Sequence, residues 1–447
     1  MRHTLLEILL LTIPIIANIG FFNTKLLKAL SLASSSLELI ISLLLYFEIP
    51  VKGIFLIDNV TISFLLIVSS IYLLSVVYSL KYIEAEEIKG IVSEKLYYVL
   101  LNFFVASMIF SMIINDYGLM WVGVELTTVA SALLITTEYS EISLEAAWRY
   151  IIIVSAGVTV ALFSIILIYY EYHTLTVTSI LSSQPKDSLI IKLAVALALI
   201  GFGTKVGVFP MYTWLPDAHS ESPSPISALF SASLLPVAMY VLYRVYEIYP
   251  LTDLFVALPT LSIITASIIL FKQWHIKRMF AYSTIENMNL ALIGLATGQV
   301  FGAVILLLAH AFGKAAAFYS SGVIIKTFNE KKIDEINGLY RMRITSSSLL
   351  LSSMAVTGTP PFGTFVGEFL ILKTLVQSGF IIEFILLVIF LALIFISINY
   401  NVSRMIFSRP KYDRLPKEPR LMSLVSLISS IVSLGIGIIS IIWGVIG

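Results

Sequence analysis

Cysteine is absent from this 447-residue chain, and charged residues make up only 12% of it. Without cysteine the chain has no disulfide, no thiolate metal site and no cysteine-ligated cluster. Its five histidines are scattered at spacings that match no common metal motif, so we expect no bound metal or cofactor. A net charge of +1 argues against a nucleic-acid partner. Any redox centre would belong to another chain.

Hydrophobic residues dominate what is present, at 58% of the chain and a mean hydropathy of +0.97. Apolar windows long enough to cross ~30 Å of hydrocarbon recur along the whole sequence. We therefore predict an all-α integral membrane protein, with one transmembrane domain over residues 1–447 and fourteen spans. The predicted span centres lie near residues 13, 39, 70, 106, 127, 158, 199, 235, 263, 289, 313, 360, 390 and 433.

Lysine and arginine are distributed unevenly between alternate loops. One set of loops carries 20 of the 28 basic residues, and the positive-inside rule places that set in the cytoplasm. We therefore expect both termini outside and the chain in the plasma membrane. The first span lacks a basic leader and a small-residue cleavage site, so we expect it to be a permanent helix.

Some segments offer surfaces rather than sites. The basic loop 404–420 is expected to face lipid or a partner, and the mixed-charge segment 81–95 to be a solvated loop or a docking surface. The first three helices show almost no polar chemistry, so we assign them to packing and lipid contact.

The predicted seventh helix contains a lysine beside a helix break. Lys205 lies near the end of a long apolar run, and Pro210 follows five residues later. Because proline lacks an N–H and displaces the carbonyl four residues back, the carbonyl of Val206 should be free beside the ammonium of Lys205. In a membrane, such backbone is tolerated only inside protein or along a cavity. This predicts an ion or proton site, and snorkelling of Lys205 is the alternative.

The predicted twelfth helix repeats this arrangement five helices later. Pro360 and Pro361 interrupt it, Glu368 follows the break, and Lys373 lies beyond. Paired interrupted spans indicate an inverted repeat and its ion path. We therefore predict that helices 4–8 and 9–13 are two inverted five-helix halves, in which helices 7 and 12 are broken.

Other ionisable residues fall within predicted spans. Glu125 lies about eight residues, or ~12 Å, inside helix five, where such a residue is a functional candidate or part of a structural ion pair. His310 and Lys314 are four residues apart on one face of helix eleven, which favours a relay. Glu286 in helix ten is either a buried acid or an interfacial one.

Three further residues are secondary candidates. Glu145 and Arg149 have the i, i+4 spacing of a helical ion pair with the acid first, and they are either a surface pair or a functional one. His219 is expected in a cytoplasmic loop with Asp217 and Glu221, where it would cap the loop or shape a gate.

Several of these segments resemble one family: the antiporter-like subunits of respiratory complex I, of energy-converting membrane hydrogenases and of Mrp antiporters. The similarity covers roughly residues 95–400 and is carried by the runs WVGVELTTVASALL, GFGTKVGVFPMYTWLPDAHSESPSPISAL, IKRMFAYSTIENM, HAFGKAAAF and GTPPFGTFVGEFLIL. The run SLEAAWRYIIIVSAGV and the pair Ile285 and Glu286 look closest to the hydrogenase 4 component F type.

The resemblance implies a proton-translocating subunit without a redox centre of its own. Its partners would be other membrane subunits of a hydrogenase or complex I-like assembly and, indirectly, a peripheral redox module. The family's proton axis falls on Glu125, Lys205, His310, Lys314 and Glu368. Where many relatives have a lysine or histidine in helix eight, this chain has Pro236. A relay from Lys205 to His310 would then use water or hydroxyls, such as those of Ser231, Ser233 and Tyr240.

As a mechanism, we expect Glu125 and Lys205 to form a switching pair. At ~4 Å and an effective dielectric of ~20, their attraction is ~4 kcal/mol. Moving one charge across ~100 mV takes ~2.3 kcal/mol, so opening this contact is comparable to the work of pumping a proton. Two other functions stay open: a self-sufficient sodium/proton antiporter and a non-conducting scaffold. Sodium needs several oxygen ligands in one place, and the acids here are spread out, which favours protons.

Overall fold

In this computed structural model, the described residues are 2–83, 92–410 and 417–442. Residues 84–91 and 411–416, which belong to the segments 81–95 and 404–420, lie outside the described part. The interpretations of those two segments therefore stay predictions.

The described chain is helical apart from turns and one short hairpin. In the first half, the helices are α1 (Arg2–Ile16), α2 (Thr24–Tyr46), α3 (Asn59–Tyr82), α4 (Glu94–Ile113), α5 (Tyr117–Ile135), α6 (Glu141–Tyr172), α7 (Val177–Ser182), α8 (Leu189–Val206) and α9 (Trp214–Glu221). The second half contains α10 (Ser224–Leu229), α11 (Leu235–Tyr246), α12 (Thr252–Leu270), α13 (Ile276–Ala296), α14 (Val300–Phe328), α15 (Arg343–Val356), α16 (Gly363–Gln377), α17 (Ile381–Phe407) and α18 (Arg420–Ile442). The hairpin strands β1 (Val51–Lys52) and β2 (Leu56–Ile57) are antiparallel, with Val51 opposite Ile57.

Polar side chains define where several helices begin. The side chain of Asn23 accepts from the first N–H groups of α2, and those of Asp116 and Ser188 do the same for α5 and α8. Ser140 and Ser143 cap α6 reciprocally. The first N–H groups of a helix have no partner within the helix, so these side chains satisfy donors that would otherwise be unpaired at the membrane boundary.

The prediction of an all-α membrane protein is confirmed. In the described part of the chain, twelve helical segments are long and apolar enough to cross a membrane, and they match all the predicted spans except the tenth and the twelfth. The predicted tenth span corresponds to α13, which contains Glu286, Asn287 and Asn289, and the predicted twelfth to the two shorter helices α15 and α16. The total of fourteen spans, the inverted repeat and the single domain stay predictions.

The helices group into two compact units. The first unit comprises Met1–Trp214 and Ser233–Phe255, and the second comprises Leu215–Ala232 and Val256–Gly447. In the first unit, α8 packs against α6 and α11, and α5 packs against α4 and α6. In the second unit, α14 is central and contacts α10, α13, α15, α16 and α18. Each unit thus surrounds its candidate residues with helices.

Serine hydroxyls join α18 to the central helix of the second unit. Ser426, Ser429 and Ser433 donate to carbonyl oxygens of α14, those of Ala316, Phe312 and Ala309, each at 2.8 Å. Small polar residues at such an interface let two membrane helices approach closely and hydrogen-bond across the contact. The turns of α14 around His310 and Lys314 are therefore fixed from one side.

The assignment of the first three helices to packing and lipid contact is wrong in part. Many apolar side chains of α1 and α2 are exposed, as expected of lipid-facing helices. However, Glu38 of α2 is completely buried, and so are Ser31, Tyr72 and Asn102. The hydroxyl of Tyr72 donates to Asn102 at 2.7 Å, and the amide of Asn102 donates to Ser31 at 3.0 Å. A polar network therefore lies inside this helix bundle.

Candidate functional site

The helix break predicted at Pro210 is confirmed. α8 ends at Val206, and Gly207 follows with a φ of +99°. Side chains are strained in this left-handed region, so glycine suits the position. No regular helix resumes until Trp214, where α9 begins. Lys205 consequently occupies the last turn of α8, next to the break.

The ammonium of Lys205 is completely buried and fully hydrogen-bonded. It donates to the carbonyl oxygen of Val124 at 2.6 Å and to the hydroxyls of Thr127 and Thr128 at 2.6 and 2.7 Å. An ammonium has three donors, so these three acceptors satisfy it. All three belong to α5, so none of them is the carbonyl of Val206, which was expected beside the ammonium. Snorkelling is wrong, because no part of the side chain reaches the surface.

Glu125 lies beside this lysine site without closing an ion pair. Its carboxylate accepts from Ser155 of α6 at 3.2 Å, and its other oxygen is buried without a hydrogen-bond partner among the described residues. Its charge acts on Lys205, but in the described chain the two groups do not approach within the 4.0 Å of a salt bridge. The described chain therefore shows no direct contact between Glu125 and Lys205, and their role as a switching pair stays a prediction.

Glu145 and Arg149 form the predicted pair near the start of α6. Their side chains are 2.5 Å apart, and 59% and 56% of them are exposed. Exposed pairs contribute little to stability. The structure therefore favours a surface ion pair over a functional one.

Lys314 occupies a second buried lysine site, in the second unit. It donates to the carbonyl oxygen of Phe280 at 2.8 Å and to the hydroxyl of Ser283, both on α13. His310 lies one turn earlier on α14 and is also completely buried. The chemistry resembles that around Lys205: a backbone carbonyl and a hydroxyl three residues later on one neighbouring helix.

Glu286 is a buried acid rather than an interfacial one, with 1% of the residue exposed. The side-chain amide of Asn287 donates to its carboxylate at 2.7 Å and to the carbonyl of Val356 at 3.1 Å. The charges of Glu368 and Lys314 both act on Glu286. The second unit therefore brings together two acids and a lysine inside the membrane-spanning part.

The carboxylate of Glu368 lies against the second helix break. The break at Pro360 and Pro361 separates α15 from α16, as predicted. Within it, Gly358 has a φ of +59°, and a Cβ atom there would lie 2.0 Å from a carboxylate oxygen of Glu368. The break thus leaves room for this acid, which is buried. Lys373, further along α16, is exposed and lies outside the buried group.

His219 belongs to the buried group, although the sequence placed it in a loop. It lies on α9 and is completely buried. Its ring stacks on Phe318 of α14 at 5.0 Å and meets the edge of Phe230 at 5.8 Å. The charge of Lys314 acts on it. The loop prediction missed it because the eight-residue α9 has little hydrophobic pattern of its own.

The acids on either side of His219 form ion pairs. Asp217 binds Arg278 at 2.8 Å, and Glu221 binds Lys331 at 2.9 Å. Burial raises the pKa of Glu221, but the Lys331 ammonium, the Ser220 hydroxyl and the Lys277 charge together outweigh that effect and hold the pKa below its usual value of 4.5. These pairs fix α9 to the basic segments around it. Over residues 2–83, 92–410 and 417–442, no three His, Asp or Glu side chains converge as a metal site would require.

Sequence reasoning missed a buried arginine in the first unit. Arg244 is 3% exposed and binds Asp58 at 2.5 Å and Glu247 at 3.0 Å. Its guanidinium also lies 4.9 Å from the ring of Tyr240. Burial raises the pKa of Asp58, but Arg244 and the N–H of Thr61 outweigh that effect and hold it below 3.8. An arginine near a predicted loop gave no sign that it would be buried.

Two of the three hydroxyls proposed for the relay have hydrogen-bond partners. Ser231 lies in a π-helical turn between α10 and α11 and hydrogen-bonds Thr284 at 2.7 Å. Tyr240 hydrogen-bonds Thr61 at 2.9 Å. Ser233 is buried, and its hydroxyl has no partner in the described chain. A π-turn often marks a functional position in a helix.

The chain is similar to known membrane proteins. The family model described as "NADH:quinone oxidoreductase/Mrp antiporter, TM" matches residues 114–397. The Hydrogenase-4 component F homolog of Methylacidiphilum infernorum (isolate V4) is 31% identical over 354 residues, which cover 74% of each chain.

Solved structures share the fold. A chain of the membrane-bound sulfane sulfur reductase, an archaeal respiratory membrane complex, superposes with a TM-score of 0.89 at 22% identity, covering 98% of this chain and 96% of that one. A chain of respiratory complex I from Thermus thermophilus gives 0.83 at 21% identity, with 97% of each covered. The predicted resemblance is thus confirmed: the chain belongs to the NADH:quinone oxidoreductase/Mrp antiporter family of membrane subunits, of the hydrogenase, complex I and Mrp type.

Proposed function

We propose that this chain translocates protons as a membrane subunit of a redox-driven complex. The observation that carries the proposal is the chemistry shared by Lys205 and Lys314. Each ammonium is completely buried, and each is bound by neutral carbonyl and hydroxyl oxygens of one neighbouring helix. Neutral acceptors satisfy the donors but leave the positive charge uncompensated, so burial opposes charging.

A nearby acid then decides the charge of each lysine. Glu125 acts on Lys205, and Glu286 acts on Lys314, and neither acid forms a direct ion pair in the described chain. A small movement of either carboxylate changes the free energy of charging its lysine by an amount comparable to ~2.3 kcal/mol, the work of moving one charge across 100 mV. Protons pass by way of Glu125 and Lys205 in the first unit, and of His310, Lys314 and Glu368 in the second.

The partners and location follow from the relatives. The solved neighbours are chains of respiratory membrane complexes. We place this chain likewise beside other membrane subunits of a hydrogenase or complex I-like assembly in the plasma membrane, with both termini outside and lipid around it. It has no redox centre of its own, so a peripheral redox module supplies the energy indirectly.

The test is proton translocation by vesicles that contain the intact parent complex. Lys205→Ala and Glu368→Gln should each abolish translocation at matched assembly. The control is Lys192→Ala, which removes a lysine of the same helix α8 whose side chain is 41% exposed and pairs with Asp187 at the surface. Unchanged translocation in Lys205→Ala and Glu368→Gln would leave a scaffold function. Translocation that requires sodium would instead support a sodium/proton antiporter.

A further inference from the structure

A buried acid outside the proton axis lies in the first helix bundle. Glu38 is 14 residues from the start of α2 and eight from its end, or ~21 and ~12 Å along the helix, so it is well inside the span. None of its surface is exposed, and neither carboxyl oxygen has a hydrogen-bond partner in the described chain. A carboxylate in that position would be an uncompensated buried charge, which costs several kcal/mol. The neutral acid is therefore the resting form that the surroundings allow.

Hydroxyls share the buried face of α2 with Glu38. Ser34 and Ser42 each lie four residues from it, so they are on the same face, and both are buried. The hydroxyl of Ser34 lies 3.4 Å from that of Tyr72 on α3. Because Tyr72 donates its own proton to Asn102, Ser34 is the donor in this contact. The hydroxyls of Ser34 and Tyr72 therefore meet beside the buried face of α2 that also carries Glu38.

The polar network continues toward the other end of α2. Asn102 of α4 donates to Ser31, one turn before Ser34, and to Asn18 at 2.9 Å. A turn beyond Ser31, an ion pair of Lys28 with Glu94 closes that end, partly exposed. Polar groups therefore extend from a charged, accessible end of the bundle to the buried acid.

Charged and titratable groups around Glu38 are few. Among the described residues of the helices that contact α2, the buried titratable groups are Glu7 of α1, Tyr72, Tyr78 and Tyr82 of α3, and Tyr97 and Tyr98 of α4. The charge of Glu38 acts on Tyr72. Sodium would need several oxygen ligands beside the carboxylate. Among the described residues no hydroxyl lies at hydrogen-bond distance from either Glu38 oxygen, so a proton, which needs only the carboxylate, is the ligand we favour.

We propose that Glu38 is a further proton-binding site of this chain, separate from the Lys205 and Lys314 clusters. Loading adds one proton to the carboxylate and yields the neutral acid, and release restores the carboxylate. The proton is taken up from water at the accessible Lys28 end and returned to water on release, so only Glu38 changes its charge. The site goes beyond the proposed function, because it lies in helices that this function does not use.

The test compares Glu38→Gln with Glu38→Asp in the intact complex. Gln imitates the neutral acid but binds no proton, so the protons moved per electron should fall at least twofold at matched assembly, and Asp should restore most of the loss. The control is Glu141→Gln, which removes an exposed acid at the start of α6. Wild-type translocation in an assembled Glu38→Gln complex would overturn the proposal.

A second variant covers failure of Glu38→Gln to assemble. Tyr72→Phe retains the acid and the ring and removes one hydroxyl, and it should also lower the ratio; an unchanged ratio would overturn the proposal. Lys205→Ala separates the two proposals. If that variant translocates normally while Glu38→Gln does not, the axis fails and the Glu38 site stands; the opposite result rejects Glu38 alone.

Discussion

Replacing Gly358 by alanine tests whether the position of Glu368 matters to translocation. At Gly358 an added Cβ would lie 2.0 and 2.4 Å from the two carboxylate oxygens of Glu368. Real Cβ atoms do not approach other atoms so closely, so the carboxylate has to move. The substitution therefore displaces the acid without changing its chemistry.

Gly358→Ala has two effects, backbone strain and displacement of Glu368, and a matched variant separates them. Gly358 has a φ of +59°, so a side chain adds backbone strain of ~1–2 kcal/mol whatever the available space. Gly379, just after α16, has a φ of +85° with no atom within 4 Å of an added Cβ. Gly379→Ala therefore carries the strain alone, and Gly358→Ala carries the strain and the displacement of Glu368.

The assay is proton translocation by vesicles of the assembled complex, with thermal stability measured in parallel. Gly358→Ala should lose at least as much stability as Gly379→Ala. Only Gly358→Ala should lose translocation, by tenfold or more, as Glu368→Gln does. Equal translocation in the two alanine variants would refute the reasoning, because the carboxylate could then move without effect on the path.

Two further predictions concern hydrogen bonds and pH. Thr128→Val removes one of the three acceptors of the Lys205 ammonium, and a hydrogen bond from a charged donor is worth ~1.5–3 kcal/mol. Translocation should therefore fall about tenfold or more. The control is Thr159→Val, on the exposed surface of α6, which should leave translocation unchanged. Because the pKa of Glu221 is lowered, its pair with Lys331 stabilises the fold above pH 4.5 and loses that effect as pH falls through the lowered pKa. The contribution of this pair to stability is under ~1 kcal/mol, since Lys331 is 44% exposed. In the wild type, the rate of proteolysis near α9 should rise on acidification, and a rate that does not change with pH would contradict this prediction.

The sequence predicted the features that depend on local chemistry. Proline and glycine stop α8 and separate α15 from α16, because their effects on the backbone are local. Hydrophobic length placed the spans for the same reason. The partners of the buried residues could not be predicted in this way. That α5 supplies every acceptor of Lys205 depends on which helices become neighbours, and the sequence around Lys205 does not determine this.

The sequence analysis missed Glu38 and the burial of His219 for two different reasons. Serines at 31, 34 and 42 share one helical face with Glu38, and this spacing was available in the sequence, but the apolar average of the segment concealed it. His219 gave no such signal. Its burial results from packing between α9 and Phe318, residues that are far apart in the chain.

The serine contacts of α18 imply which parts of the second unit are free to move. Three carbonyls of α14 are bound from outside at successive turns, so this helix behaves as a fixed wall. Any change in how Lys314 is bound must then come from the opposite wall, α13, or from rotation of side chains. A conformational change that reaches the second unit would therefore move α13 relative to a stationary α14.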